Sequence, residues 1–216
     1  MSDKSYDIIG DIHGHSQSLE SILVELGYTN HSGIYSHPSR KVIFLGDFID
    51  RGNYQRDVID IVRAMIDSGN ALAVMGNHEF NAIAYYTAVH GGDGYLRPHS
   101  EKNTGQHQAF LDAYQGAPAA YEDTINWFKT LPLWLDLGDL RVIHACWDKH
   151  EIAEILKYQD GECYLSEKLL RESCRSGTWQ FRAVETILKG KEIPLKPGAS
   201  FKDKDGNVRH NIRVRW

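Results

Sequence analysis

The stretch Gly46-Asp47-Phe48-Ile49-Asp50-Arg51-Gly52 follows directly on the apolar run Val42-Ile43-Phe44-Leu45. Four apolar residues, led in by Lys41 and stopped by Gly46, read as a buried strand whose end delivers two carboxylates and a guanidinium into a glycine-flanked turn. Packing has no use for Asp, Asp and Arg at the tip of so short a strand, and buried charge is costly unless it is paired or holds a cation. Taken alone, the stretch reads equally well as a polar loop with a surface Asp–Arg pair.

The same arrangement recurs on both sides. Tyr6-Asp7-Ile8-Ile9 runs into Gly10-Asp11-Ile12-His13-Gly14, and Ala71-Leu72-Ala73-Val74-Met75 runs into Gly76-Asn77-His78-Glu79. Between them, Ser16 to Gly27 places Leu19, Ile22, Leu23 and Leu26 on one helical face, and Tyr54 to Ser68 does so with Val58, Ile61, Val62 and Met65. Two strand, loop, helix units feeding a third strand predict a βαβαβ run, and right-handed crossovers make its sheet parallel. Parallel strands end on one edge, where ligands bind in α/β folds. Asp11, His13, Asp47, Asn77 and His78 are therefore expected to converge in space.

The rest of the chain is read more coarsely. Tyr28 to Arg40 is expected as a polar surface connection and Glu79 to Val89 as a short helix. His90 to about Gln106 contains too many breakers for regular structure, and helices are expected over 107–115 and 121–130. Together these make a helical and loop insertion at about 90–130. Leu131 to Ile143 reads as a hairpin around Gly138-Asp139, and its second strand ends on His144, one more donor at a strand terminus. Helices are expected over 149–158 and 167–189, turns over 194–206, and Asn207 to Trp216 alternates like a strand.

At 216 residues and 42% hydrophobic, the chain fits one domain, 1–216. A formal charge of -5 and a pI near 6.1 supply no broad cationic face for nucleic acid. Cys146, Cys163 and Cys174 are an odd set without paired short spacing, so free thiols are expected rather than a disulfide framework or zinc ribbon. The N-terminus lacks a signal-peptide profile and no apolar run approaches a membrane span, so a cytoplasmic, reducing compartment is expected.

Carboxylate and amide oxygens with imidazole nitrogens, and no thiolate, suit divalent Mn, Fe, Co or Zn. Asp47, on the middle strand, is the natural bridge between two ions, with Asp11 and His13 on one side and Asn77 and His144 on the other. Such a pair activates water for in-line attack on a phosphoryl group. His78, outside the ligand set, suits protonation of the leaving oxygen. Asp50 would orient that imidazole, and Arg51 offers a planar fork for phosphate oxygens. Arg97 is a candidate second phosphate contact. His90, His99 and His107 read as exposed loop histidines, and Trp127, Trp134 and Trp147 as core or pocket-wall aromatics.

Gly10-Asp11-Ile12-His13-Gly14, Gly46 to Gly52, Gly76-Asn77-His78-Glu79 and the strand-ending His144 resemble the successive signatures of calcineurin-like metallophosphoesterases. Asp50-Arg51-Gly52 and Glu79 are similar to the branch of PPP-type serine/threonine phosphatases and symmetrical dinucleoside tetraphosphatases. The resemblance covers about Tyr6 to Trp147. It implies a four-layer α/β/β/α sandwich on a βαβαβ core, a dinuclear centre of Mn, Fe, Zn or Co, and hydrolysis of phosphate esters. It also implies a further metal-binding histidine after His144. Only His150 and His210 remain, the first read as a surface residue and the second as a solvent-facing strand residue, so that histidine and the closing strands are expected to be absent. The leading expectation is a PPP-like phosphatase acting on phosphomonoesters, phosphoproteins included. The alternatives are a symmetrical dinucleoside tetraphosphate hydrolase and a non-catalytic metal-binding domain.

Overall fold

The computed structural model describes residues 5–202, 206 and 208–214. In chain order these form β1 (Ser5–Ile9), α1 (Ser16–Glu25), β2 (Thr29–His31), β3 (Ile34–Ser36), β4 (Arg40–Phe44), α2 (Gln55–Asp67), β5 (Ala71–Ala73), α3 (Asn77–Tyr86), α4 (Glu101–Ala113) and α5 (Pro118–Lys129). They continue as β6 (Trp134–Asp136), β7 (Arg141–Ile143), α6 (Lys149–Tyr158), α7 (Glu167–Ser173), α8 (Trp179–Lys189), β8 (Glu192–Pro194), β9 (Phe201–Lys202), β10 (Val208–Arg209) and β11 (Asn211–Arg213).

The central sheet has the order β1-β4-β5 and is parallel throughout. Side chains alternate across a strand, and in β4 this alternation separates two apolar environments. Val42 and Phe44 join the main core with Leu19 and Leu23 of α1 and Val58, Val62 and Met65 of α2. Ile43 points the other way and packs with Val74 of the chain after β5 and Val142 of β7, flanked by Leu72, Leu135 and Leu140. The antiparallel β6–β7 hairpin thus covers the face opposite the helices. That is the helix, sheet, sheet stacking expected of the sandwich. Both faces of β4 are dry, which is why its sequence is a continuous apolar run rather than an alternating one. The main core is contiguous from Ile9 to Leu188.

The structure departs from the sequence reading at several points, including a break between α7 and α8 within 167–189 and β9 within the stretch expected as turns. Within Tyr28 to Arg40 lies the β2–β3 hairpin, turned by Ser32 and Gly33 with φ of 54° and 90°. Asn30 accepts the Gly33 N–H at 2.8 Å. Two adjacent left-handed residues favour a tight hairpin, but Thr29, Asn30 and His31 are all exposed, so no apolar alternation marks the strand. Helix α4 begins at Glu101, inside the stretch expected to be irregular, with Ser100 accepting from the Asn103 N–H. The final alternating segment bends at His210 into β10 and β11, which pair with β9 and β8 respectively and are exposed. The expectations for 203–205, Asn207, Arg215 and Trp216 lie outside the described residues. Among the described residues the cysteines are free, and no helix is long and apolar enough to cross a membrane.

Candidate active site

Three loops leave the carboxyl ends of β1, β4 and β5 and interlock through their backbones. The Ile12 and His13 N–H groups donate to the Asp47 carbonyl at 3.0 and 2.9 Å, and the Gly14 N–H donates to that of Phe48 at 2.7 Å. The Gly52 N–H returns to the His13 carbonyl at 2.8 Å. On the other side, Glu79 in the first turn of α3 is fully buried and accepts three backbone N–H groups, from Gly76 at 3.0 Å and from Asp47 and Phe48 at 2.8 Å each. Burial and the Asp47 charge push the Glu79 carboxyl up to about 7, against the N–H donors of Asp47 and Phe48 that favour the carboxylate.

This closeness requires glycine. A Cβ on Gly76 would lie 2.3 Å from both the backbone nitrogen and the Oδ1 of Asp47. Gly76→Ala is expected to cost about 1–3 kcal/mol by overpacking. In a thermal melt that corresponds to a drop of roughly 2–4 °C per kcal/mol for a chain of this size. His13, Asp47, Asp50 and Arg51 hold φ of 48°, 56°, 70° and 68°, a conformation side chains adopt rarely and at a cost. Such strain concentrates where a fixed side-chain direction serves function.

The structure brings together all five expected ligands. Asp47 is buried, and three imidazole Nε2 atoms face its Oδ2: His144 at 3.6 Å, His13 at 3.8 Å and His78 at 3.8 Å. Asp11 reaches the same place from an exposed position, its Oδ2 3.6 Å from the His13 Nε2. The Asn77 Oδ1 lies 3.3 Å from the His144 Nε2. Donor atoms of Asp11, Asp47 and His144, and of His13, Asp47 and His78, fall within 4.8 Å of one another. Asp11 therefore lies within 4.8 Å of the His144 donor as well as 3.6 Å from that of His13, a more compact arrangement than the two separate sides expected.

The tautomers show what this cluster suits. His13 Nδ1 donates to the Ile49 carbonyl at 2.8 Å, and His144 Nδ1 to that of Leu45 at 2.6 Å. A carbonyl only accepts, so in each neutral ring the proton sits on Nδ1 and the Nε2 lone pair faces carboxylate oxygen. Burial, then the His78 and Arg51 charges, hold His13 below its ordinary value despite the Ile49 bond, which keeps the ring neutral. The His13 Nε2 is buried with no hydrogen-bond partner. Lone pairs of two imidazoles converging on a buried carboxylate repel unless a cation lies between them, and histidine ligands commonly carry this Nδ1 anchor. The residues fit divalent metal.

His78 is oriented from behind. Its Nδ1 is 2.5 Å from the Asp50 Oδ2, while the other Asp50 oxygen is 2.8 Å from the His107 Nδ1. Burial alone would lower His78, but the Asp50 hydrogen bond and the charges of Asp47, Asp50 and Glu79 outweigh it and hold the imidazole above its ordinary value. Burial would raise Asp50, and the two histidines overcome it to keep the carboxyl below its usual range. His107 corrects the sequence reading: it is buried in α4 against Tyr85 and Phe110 rather than exposed in a loop. Its one sequence signal is the helical spacing of His107, Phe110 and Tyr114. His99 is exposed as expected, although its ring stacks on both Tyr85 and Tyr95. His150, with a side chain 72% exposed, and His210 both lie outside the donor groups. Trp127 and Trp134 are buried, and Trp147 is partly buried beneath Arg141.

Asn77, His78 and the exposed Arg51 open onto a cleft of about 1410 Å³ that runs between α4 and α8. Arg97, Asn81, Gln106 and Lys189 also line it.

Known proteins resemble this chain in sequence and in fold. The chain is 30% identical over 152 residues to the asymmetrical bis(5'-nucleosyl)-tetraphosphatase PrpE of Oceanobacillus iheyensis, a match covering 68% of this chain and 58% of that protein. It is 36% identical over 150 residues to the protein of the same name from Geobacillus thermodenitrificans, covering 64% and 56%. The chain thus spans a little over half the length of these relatives. The solved cold-active protein-tyrosine phosphatase of a psychrophilic Shewanella species superposes with a TM-score of 0.51 at 17% identity, over 88% of this chain and 56% of that one, a likeness of fold. The family description of calcineurin-like phosphoesterases matches residues 5–187, from β1 into α8, and the chain belongs to that family.

Proposed function

We propose that the chain is the catalytic part of a metal-dependent hydrolase of dinucleoside polyphosphates, with divalent ions held by Asp11, His13, Asp47, Asn77 and His144. The observation that carries the metal centre is the pair of anchored imidazoles whose free Nε2 atoms face Asp47. Asp47 is the bridging ligand in this reading, and Mn is the favoured ion, with Fe, Zn or Co as alternatives. Ions bound there would supply Lewis-acid activation of water and of the phosphoryl group.

The protein's own residues do the rest. Arg51 presents its guanidinium to phosphoryl oxygens at the cleft mouth. His78, kept protonated by Asp50, hands a proton to the oxygen that leaves as the P–O bond breaks and water's oxygen bonds to phosphorus. Asp50 holds the ring angle, and His107 holds Asp50.

The substrate class rests on the names of the relatives and on a cleft of about 1410 Å³, far more space than one phosphate requires. Those names also move the expected cut from the symmetrical to the asymmetrical position. Mn-loaded protein given diadenosine tetraphosphate is expected to release ATP and AMP, resolved by ion-exchange chromatography. Two ADP would indicate the symmetrical cut. Phosphate release from a phosphopeptide or 4-nitrophenyl phosphate, with the dinucleotide untouched, would return the phosphomonoesterase reading. Metal binding without turnover of any of these would leave a non-catalytic domain.

A further inference from the structure

Arg97 lies between α3 and α4, with its backbone N–H bonded to the Ala84 carbonyl at 2.9 Å. Its side chain lines the same cleft as Arg51, Asn77 and His78. The guanidinium donates to two neutral acceptors, the Asn81 Oδ1 at 3.1 Å and the Gln106 Oε1 at 2.9 Å. Among the described residues no carboxylate stands within ion-pair distance of it, and Asp50 and Glu185 act only from farther away. Two other cations of this cleft are paired with carboxylates: Arg182 with Glu151 at 2.9 Å, and Lys189 with Glu185.

A half-buried cation fixed by neutral amides carries an unmet electrostatic demand. Two of its five N–H donors are used by these amides, and the planar fork matches phosphate. We propose that Arg97 is the receptor for a phosphate adjacent to the scissile one, and so the residue that makes the site favour a polyphosphate chain over a phosphomonoester. This rests on the hydrolase reading above and adds its specificity determinant. A phosphomonoester offers nothing for Arg97 to hold, whereas each further phosphate of a polyphosphate brings charge and acceptor oxygens.

The test uses Mn-loaded parent, Arg97→Ala and Arg97→Lys, with melting curves to confirm folding. Steady-state kinetics are measured on diadenosine tetraphosphate and on 4-nitrophenyl phosphate, and calorimetry measures binding of inorganic pyrophosphate and orthophosphate. Losing charge-assisted hydrogen bonds is expected to raise KM for the dinucleotide by about 10–100-fold in Arg97→Ala. Its kcat should stay near the parent's, and kcat/KM for 4-nitrophenyl phosphate should be unchanged. Arg97→Lys should recover only part of the loss, because an ammonium lacks the fork. The parent should bind pyrophosphate more tightly than orthophosphate, and Arg97→Ala should lose that preference. Equal losses on both substrates, or an unchanged pyrophosphate preference, would overturn the assignment. A parent that leaves the dinucleotide intact removes the hydrolase reading instead, while the pyrophosphate comparison still decides the role of Arg97.

Discussion

Replacing His78 by alanine is expected to lower kcat on the dinucleotide by about 10²–10⁴-fold, the usual contribution of a positioned general acid. The physical reason is that its Nδ1 is held by Asp50 while its Nε2 faces the donor cluster, the placement that the proposed general acid needs. Asp50 retains its contact with His107 and the backbone N–H to Gln55 side-chain bond beside it, so the fold should persist. Single-turnover rates on Mn-loaded protein, with melting curves alongside, check this. A His78→Ala rate within a factor of a few of the parent would remove His78 from the chemistry.

Glu79→Ala is expected to have the largest effect on stability, about 3–5 kcal/mol. It strands the N–H groups of Gly76, Asp47 and Phe48 in a dry interior, and each unsatisfied buried donor costs about 1–3 kcal/mol. Domains of this kind are stable by only about 5–15 kcal/mol, so the variant should sit near the edge of folding. Glu79→Gln should fall between the two, since its carbonyl oxygen accepts but its amide nitrogen opposes the remaining N–H. Urea unfolding of the three metal-free proteins gives the comparison. A parent-like midpoint for Glu79→Ala would mean that these loops are held by something other than the buried carboxylate.

Where a residue's position at the sheet edge follows from its place on the chain, the sequence already carries it. A short apolar strand, a glycine and then an oxygen or nitrogen donor marks Asp11, Asp47 and Asn77, because a parallel sheet sends every such loop to one edge. His144 follows the same logic at the end of the hairpin's second strand. His107 was illegible because its partner Asp50 lies 57 positions away and is reached from a helix whose interior glycine, Gly105, disguises its start. The role of Glu79 was hidden for a different reason: its partners are backbone N–H groups, which every sequence has and none advertises. The β2–β3 hairpin escaped because exposed strands of threonine, asparagine and histidine leave no apolar period, and only Ser32-Gly33 signals the turn. The helix-covered parallel sheet was readable from periodicity. The way its strands divide their side chains between helices and hairpin needed coordinates.

The central claim is that loops from separate strands create a cation site around the Asp47 carboxylate. Anomalous diffraction from crystals grown with Mn tests it most directly. Two peaks about 3.5–4 Å apart are expected, both in contact with Asp47 and with His13 and His144 among their ligands. Well-ordered side chains at Asp47, His13 and His144 with no anomalous density between them at saturating Mn would contradict it.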